Sequence, residues 1–293
     1  MRRTSTSSLA SATRNATKRP ESGAGMGKIV WLASYPKSGN TWMRAFLHNY
    51  IARPATPQSI NALTELSAVE CAAAFFGEPG RVLSTEETQR ARPAVHERLT
   101  RLHGDFVFVK THNANLAIHG VRLCTPAQTA GALFIVRDPR DVALSYAAFT
   151  GRSCDEIIEL MGHEGAANRA SAVQVFEYMS SWSAHVASWA AGENTLITRF
   201  EDLRAEPERY FGRVIRFLGG AVEPERLRRA VEFSAFKVLA AQEADEGYTA
   251  KGDGPGPFFR AGESGGWRRG LSAGQRARIE KDHGALMAKL GYL

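Results

Sequence analysis

Four short, uninterrupted apolar runs punctuate the chain: Ile29-Val30-Trp31-Leu32-Ala33, Phe106-Val107-Phe108-Val109, Leu133-Phe134-Ile135-Val136 and Thr195-Leu196-Ile197-Thr198. Each is flanked by polar turns, the pattern of strands buried on both faces. Between them the period changes. Trp42, Met43, Phe46, Leu47 and Tyr50 open a helix directly after the first run. Val175, Met179, Trp182, Val186 and Trp189 recur at alternating helical spacings, which predicts one helix whose apolar stripe is core. Pro207 at a first helical turn, with Phe211, Val214, Ile215 and Leu218 behind it and Gly219-Gly220 after it, marks another. Ser272 with Gln275 makes a capping box for a last helix that buries Ile279, Leu286, Met287 and Leu290. Strands alternating with helices at this spacing predict a three-layer α/β fold around a central parallel sheet of about four to five strands.

The remaining segments carry less pattern. Residues 52–102 contain Pro54, Pro57, Pro79 and Pro93 and read as irregular short helices and loops. Residues 240–266 hold seven glycines and two prolines without a period and read as a mobile loop. Residues 1–25, rich in Ser, Thr, Ala and Arg, read as a disordered tail, with one domain over 26–293. Their Arg-rich, acid-poor makeup has some transit-peptide character, but a flexible tail or an extension upstream of a start at Met26 is the preferred reading.

The net charge of +7 looks like a nucleic-acid signal until it is located: Arg2, Arg3, Arg14, Lys18 and Arg19 against Glu21 put +4 of it in the tail. What is left suits a pocket for a multiply anionic small ligand and excludes a continuous basic groove for nucleic acid. No stretch approaches the roughly 20 apolar residues that cross a bilayer, so no stable membrane insertion is expected. Cys71, Cys124 and Cys154 are odd in number and far apart, which fits a reducing cytoplasm and argues against a disulfide framework. Neither the cysteines nor the histidines show metal-ligand spacing, so no metal is expected.

The chemistry gathers at the strand ends. After the first run comes Tyr35-Pro36-Lys37-Ser38-Gly39-Asn40-Thr41-Trp42, a phosphate-sized turn leading into a helix whose first N–H groups and dipole attract an anion. Lys37 precedes the glycine, whereas in a nucleotidase P-loop the lysine follows it. Lys110-Thr111-His112 follows the second run, and strand alternation points Lys110 and His112 to one side. Together they offer a cation for developing charge and a base for a hydroxyl proton. The third run leads into Arg137-Asp138-Pro139-Arg140-Asp141, with a helix starting at Asp138 or Pro139 and Ser145 two turns on. Arg137 can bind phosphate through paired hydrogen bonds, although on spacing alone a structural Arg-Asp ion pair accounts for the segment equally well. Arg260-Ala261-Gly262-Glu263-Ser264-Gly265-Gly266-Trp267-Arg268 adds a flexible basic loop.

In this order and spacing the segments resemble the sulfotransferases that use 3'-phosphoadenosine 5'-phosphosulfate (PAPS), from about Lys28 to Leu290. Tyr35 through Trp42 is similar to the family's 5'-phosphosulfate loop, Arg137 through Ser145 to its 3'-phosphate segment, and Arg260 through Trp267 to its Arg-x-Gly-x-x-Gly-x-Trp motif. The resemblance implies that Lys37 contacts the transferring group, that Ser38, Gly39, Asn40 and Thr41 hold the 5'-phosphate, and that Trp42 stacks on adenine. It implies a 3'-phosphate site of Arg137, Ser145, Arg260, Ala261 and Gly262. Phe200 and the Ser234–Phe236 stretch are expected near adenine, and Lys110 and His112 in catalysis, with Lys37 and Ser145. Asn40 replaces the commoner threonine, Phe200 a tyrosine, Ala261 a lysine, Gly266 an aspartate and Arg268 a lysine. Because phenylalanine has no hydroxyl, the adenine bond of that tyrosine is lost here. A C-terminal dimer motif is not recognisable.

The implied activity is in-line transfer of a sulfuryl group from PAPS to a hydroxyl or amine of a small-molecule acceptor, leaving 3',5'-ADP. The rivals are a P-loop kinase, which needs a lysine after its last glycine and a magnesium-binding aspartate, and a non-catalytic nucleotide-binding module. The acceptor pocket is expected from residues 52–102, 147–165 and 240–257, the segments with least pattern.

Overall fold

A computed structural model describes residues 27–78, 80–251 and 255–293; the tail expected over 1–25 and the start at Met26 lie outside the described residues. Five strands form one parallel sheet: β1 (Lys28–Ser34), β2 (Ser67–Val69), β3 (Phe106–Thr111), β4 (Thr129–Val136) and β5 (Thr195–Arg199). Their order is β2-β3-β1-β4-β5, so the chain starts in the centre, fills one side, then crosses β1 to fill the other. Ile29, Trp31, Ala33, Val107, Val109, Phe134 and Val136 point into one core, and Val30, Leu32, Phe108, Leu133 and Ile135 into the other. A sheet buried on both faces has no polar face to alternate with, which is why the strands read as continuous apolar runs.

Helices α1 (Asn40–Ala52) and α5 (Pro207–Phe217) cover one face, with Phe46 and Phe211 stacked at 3.9 Å between ring centroids. Helices α2 (Thr85–Leu99), α3 (Pro139–Thr150), α4 (Trp182–Ala190) and α8 (Ala273–Lys289) cover the other. In α8 the capping box forms as the sequence requires, Ser272 Oγ accepting from Gln275 N at 3.2 Å and Gln275 Oε1 from Ser272 N at 3.0 Å. Ile279 and Met287 are fully buried there, while Leu286 and Leu290 are partly so.

Three expectations are corrected. The stripe from Val175 to Trp189 is one core surface, but only its second half is helical. A two-stranded hairpin pairs Ala167–Asn168 with Glu177–Tyr178, Ser180 turns through φ 60°, and Ser181 caps α4. Periodicity cannot distinguish a helix from an extended segment that feeds the same core. Residues 52–102 are more regular than their prolines suggest. They contain the edge strand β2, and Pro93 lies inside the 15-residue helix α2, held at its start by a capping box between Ser84 and Glu87. The third correction concerns residues 240–266, whose first part belongs to helix α7 (Phe236–Glu246). Irregular chain begins at Gly247, and residues 252–254 lie outside the described residues.

Candidate active site

Ligands of parallel α/β sheets bind beyond the carboxyl ends of the strands, where the order of connection reverses. Here a cavity of about 950 Å³ opens along that edge, from Phe200 after β5 to Val69 at the end of β2. Of the residues singled out in the sequence, Lys37, Gly39, Asn40, Thr41, Trp42, Lys110, His112, Arg137, Ser145, Phe200, Phe236, Arg260, Ala261 and Gly262 all line it. Ser38 and Ser234 do not. Ser234 is buried and its hydroxyl donates to Ala230 O at 2.8 Å within the preceding helix α6 (Pro224–Phe233).

The turn after β1 is shaped by its backbone. Lys37 has φ 64°, a left-handed conformation rare for a residue with a side chain. Gly39 has φ 111°, and a Cβ there would stand 2.9 Å from the Phe200 ring, so only glycine fits. Gly39 is also the N-cap of α1 and has no side chain to satisfy the first-turn N–H groups. Asn40 works inward, donating to Leu32 O at 2.8 Å and to Ser34 Oγ at 3.3 Å, so its amide ties the turn to the strand. Ser38 Oγ, Trp42 Nε1 and Arg137 Nε are buried without a hydrogen-bond partner among the described residues. Buried donors of this kind normally have partners. Unpartnered donors on Trp42 and Arg137, both lining the cavity beside the uncapped start of α1 and cationic side chains, fit a ligand rich in anionic oxygens.

Lys37 Nζ lies between two aromatic faces, 4.1 Å from the Phe149 centroid and 3.7 Å from that of Phe258. Burial, with the Arg137, Arg260 and Lys251 cations adding to it against Glu243, lowers its pKa to about 7. Arg137 joins two loops, donating to Lys37 O at 2.9 Å and to Glu263 O at 2.8 Å. The ion pair that spacing left open belongs to Arg140, whose Nη2 is 2.8 Å from Asp138 Oδ2 and whose Nη1 is 2.8 Å from Glu280 Oε1. Among the described residues Arg137 makes no such pair. Asp138 is the N-cap of α3, accepting from Arg140 N at 2.9 Å, with Pro139 following it.

The glycine-rich loop near the C-terminus is drawn onto α3 by Asp141. Its carboxylate accepts from Gly265 N at 2.6 Å and Trp267 N at 2.9 Å. Gly262, at φ 56°, packs so close to Phe236 that a Cβ would overlap the ring. Asp141→Ala removes two hydrogen bonds to a buried charge and is expected to cost about 1.5–3 kcal/mol of stability. Urea unfolding should register that loss, together with faster amide exchange at Gly265 and Trp267.

Beyond β3, His112 Nδ1 lies 2.7 Å from Ser34 O. A carbonyl only accepts, so Nδ1 carries the proton and Nε2 keeps its lone pair. Burial and then the Lys110 cation hold the imidazole pKa well below its usual range, so the ring is neutral at physiological pH. Lys110 is not a free cation, because its Nζ is 3.3 Å from Glu177 Oε1, the same oxygen that accepts His112 N at 3.0 Å. Although burial raises the Glu177 pKa, the Lys110 cation and the hydrogen bonds from His112 N and Asn168 Nδ2 outweigh it and keep the carboxylate ionised. Glu177, Asp141 and Phe258 were missed in the sequence. Asp141 was visible in the Arg137 segment, but nothing marked it as the acceptor of a distant loop, and Glu177 was hidden in a stretch read as helix.

Among the described residues no helix is long and apolar enough to cross a membrane, and no group of three or more His, Cys, Asp or Glu residues is arranged to hold a metal. Residues 28–291 match the sulfotransferase domain family. The chain is 22% identical over 283 residues to the 3-beta-hydroxysteroid sulfotransferase of Cavia porcellus, covering 88% of this chain and 83% of that protein. It is 24% identical over 263 residues to cytosolic sulfotransferase 5 of Arabidopsis thaliana, covering 86% and 77%. Its fold is similar to mouse sulfotransferase SULT7A1 in complex with PAP (TM-score 0.58, 19% identity, 95% of this chain and 88% of that one). It is also similar to retinol dehydratase in complex with androsterone and inactive cofactor PAP (TM-score 0.61, 18% identity, 94% and 85%). With Lys37, Arg137 and Arg260 lining one cavity at the strand ends and a family match over almost the whole described chain, this protein belongs to the sulfotransferase domain family and is a PAPS-dependent sulfotransferase.

Proposed function

We propose that the enzyme moves the sulfuryl group of PAPS to a hydroxyl or amine of a small-molecule acceptor in the cytoplasm, with His112 as general base. The observation that carries this reading is a neutral imidazole with a free Nε2 lining the same cavity as Lys37, Arg137 and Arg260. The new bond forms between sulfur and the acceptor atom while the bond from sulfur to the bridging phosphate oxygen breaks. The acceptor proton goes to His112 Nε2, and 3',5'-ADP leaves with the electron pair. Lys37, Ser38 and the N–H groups at the start of α1 would hold the 5' end, and Arg137, Ser145, Arg260 and the backbone of Ala261 and Gly262 the 3'-phosphate. Trp42, Phe200 and Phe236 offer the ring faces for adenine. Two relatives are named for hydroxyl compounds, a 3-beta-hydroxysteroid and a flavonol, which supports a hydroxyl acceptor.

Transfer of labelled sulfate from PAPS to a panel of phenols, sugars, lipids and amines tests the reading; a protein that binds 3',5'-ADP yet transfers to none of them would favour a non-catalytic binding module. Arg137→Ala is expected to weaken 3',5'-ADP binding about tenfold or more, since charge-assisted bonds to phosphate are each worth about 1.5–3 kcal/mol. Unchanged affinity by calorimetry would remove Arg137 from the 3'-phosphate site.

A further inference from the structure

The sheet order divides the cavity. The turn after the central strand β1 lies in the middle, Arg137 after β4 and Phe200 after β5 toward one end, and Val69 of β2 with Lys110 of β3 toward the other. That second end holds a cation with no role in the donor site. Arg44, one turn into α1, is 4% exposed and lines the cavity. Its Nε donates to Ser67 Oγ at 2.7 Å, at the start of β2. Among the described residues no carboxylate lies within ion-pair distance of it. Its guanidinium also hydrogen-bonds the Tyr248 hydroxyl, and the His48 imidazole and the Lys110 ammonium, which repels it, lie near.

Lys110 nearby shows how this protein treats a buried charge it merely needs to neutralise, since Glu177 stands against it. Arg44 has no such partner, and a guanidinium does not escape by losing its proton. An unpaired buried charge is costly unless a partner arrives. Arg44 is a planar fork of five donors whose hydrogen bonds go to hydroxyls alone, those of Ser67 and Tyr248, on the cavity wall near Lys110, and that geometry matches an oxyacid group in two-point contact.

Resting on the sulfotransferase reading above, we infer that the acceptor carries an anionic oxyacid group, a carboxylate, sulfate or phosphate, and that Arg44 binds it while His112 receives the proton of the acceptor's hydroxyl or amine. The donor's own anionic groups are met elsewhere in the cavity by Lys37, Arg137 and Arg260, so Arg44 is left to the acceptor.

The test uses the full chain saturated with 3',5'-ADP and matched pairs of probes: aromatic and aliphatic hydroxy acids and amino acids beside their neutral amides, with hydroxyphenyl sulfate and phosphate as further arms. Calorimetry is expected to give at least tenfold tighter binding for acids than for amides in the wild type, and the best arm identifies the anion. In Arg44→Met the preference disappears, while 3',5'-ADP binds with its wild-type affinity. Arg44→Lys keeps a reduced preference, because it retains the charge and loses the fork. Equal binding of acids and amides by the wild type overturns the inference, and so does a preference that survives in Arg44→Met. A loss of 3',5'-ADP affinity in Arg44→Met would assign the guanidinium to the donor. Failure of the sulfotransferase reading is separable, because it appears as absence of 3',5'-ADP binding or of labelled transfer in the wild type.

Discussion

Replacing His112 by alanine is expected to lower the turnover of sulfuryl transfer by about 10² to 10⁴, the contribution of a positioned general base, while 3',5'-ADP affinity stays as it is. The hydrogen bond from Nδ1 to Ser34 O fixes both the tautomer and the direction of the ring, and leaves Nε2 as the basic atom. Burial and Lys110 keep that atom unprotonated, so the base is available without first losing a proton to solvent. The sign follows for pH. With the folded pKa depressed, the imidazole becomes protonated only well below its ordinary range, so turnover should persist through mild acid and not fall near the usual histidine value of about 6.5. Measuring kcat with labelled PAPS, beside calorimetry with 3',5'-ADP, separates chemistry from binding. A variant that turns over at nearly the wild-type rate excludes His112 as base.

That residue was legible in the sequence because its information is local. A strand run ending in Lys110-Thr111-His112 fixes which side chains share a direction, and the parallel sheet puts that end beside the turn after β1. The four apolar runs marked the four longest strands for the same reason, two-sided burial. The edge strand β2 was not legible, since three residues, Ser67–Val69, carry no run and owe their conformation to pairing with β3. Helix α2 hid behind Pro93, although Ser84 and Glu87 announced its start.

What the sequence withheld at the site is mostly negative charge. Asp141 takes its meaning from Gly265 and Trp267, more than 120 residues away, and Glu177 from Lys110 and His112 across the cavity. Carboxylates that accept backbone N–H groups from distant loops leave no spacing rule behind them, whereas a basic turn between a strand and a helix does. The same holds for Arg44, which as a position on α1 is indistinguishable from a solvated arginine until burial and the want of an acid partner are seen. Arg137 and Arg140 illustrate the limit from the other side. Spacing could not say which arginine the acids take, and packing gives Asp138 and Glu280 to Arg140.

Lys37→Met is expected to lower kcat/KM by about 10² to 10³, the effect of losing one preorganised donor where charge develops, and also to abolish a pH dependence of ligand binding. In the free enzyme the ammonium is held between Phe149 and Phe258 with a pKa near neutrality, lowered to about 7 by burial and neighbouring cations. A phosphate beside it favours the charged form, so binding raises that pKa and takes up a proton wherever the free lysine is neutral. Below that value the lysine is already charged and affinity for 3',5'-ADP is flat. Above it affinity should fall with rising pH by up to about tenfold per unit, because each bound ligand must recruit a proton. Calorimetry in buffers of different ionisation enthalpy, from about pH 6 to about pH 9, reads the proton uptake directly. Methionine fits the same aromatic slot without a charge, so Lys37→Met should bind 3',5'-ADP more weakly at neutral pH, without that proton uptake. Wild-type binding that takes up no proton above neutrality would mean that Lys37 does not meet the phosphate, and the catalytic cation would then have to come from elsewhere in the cavity.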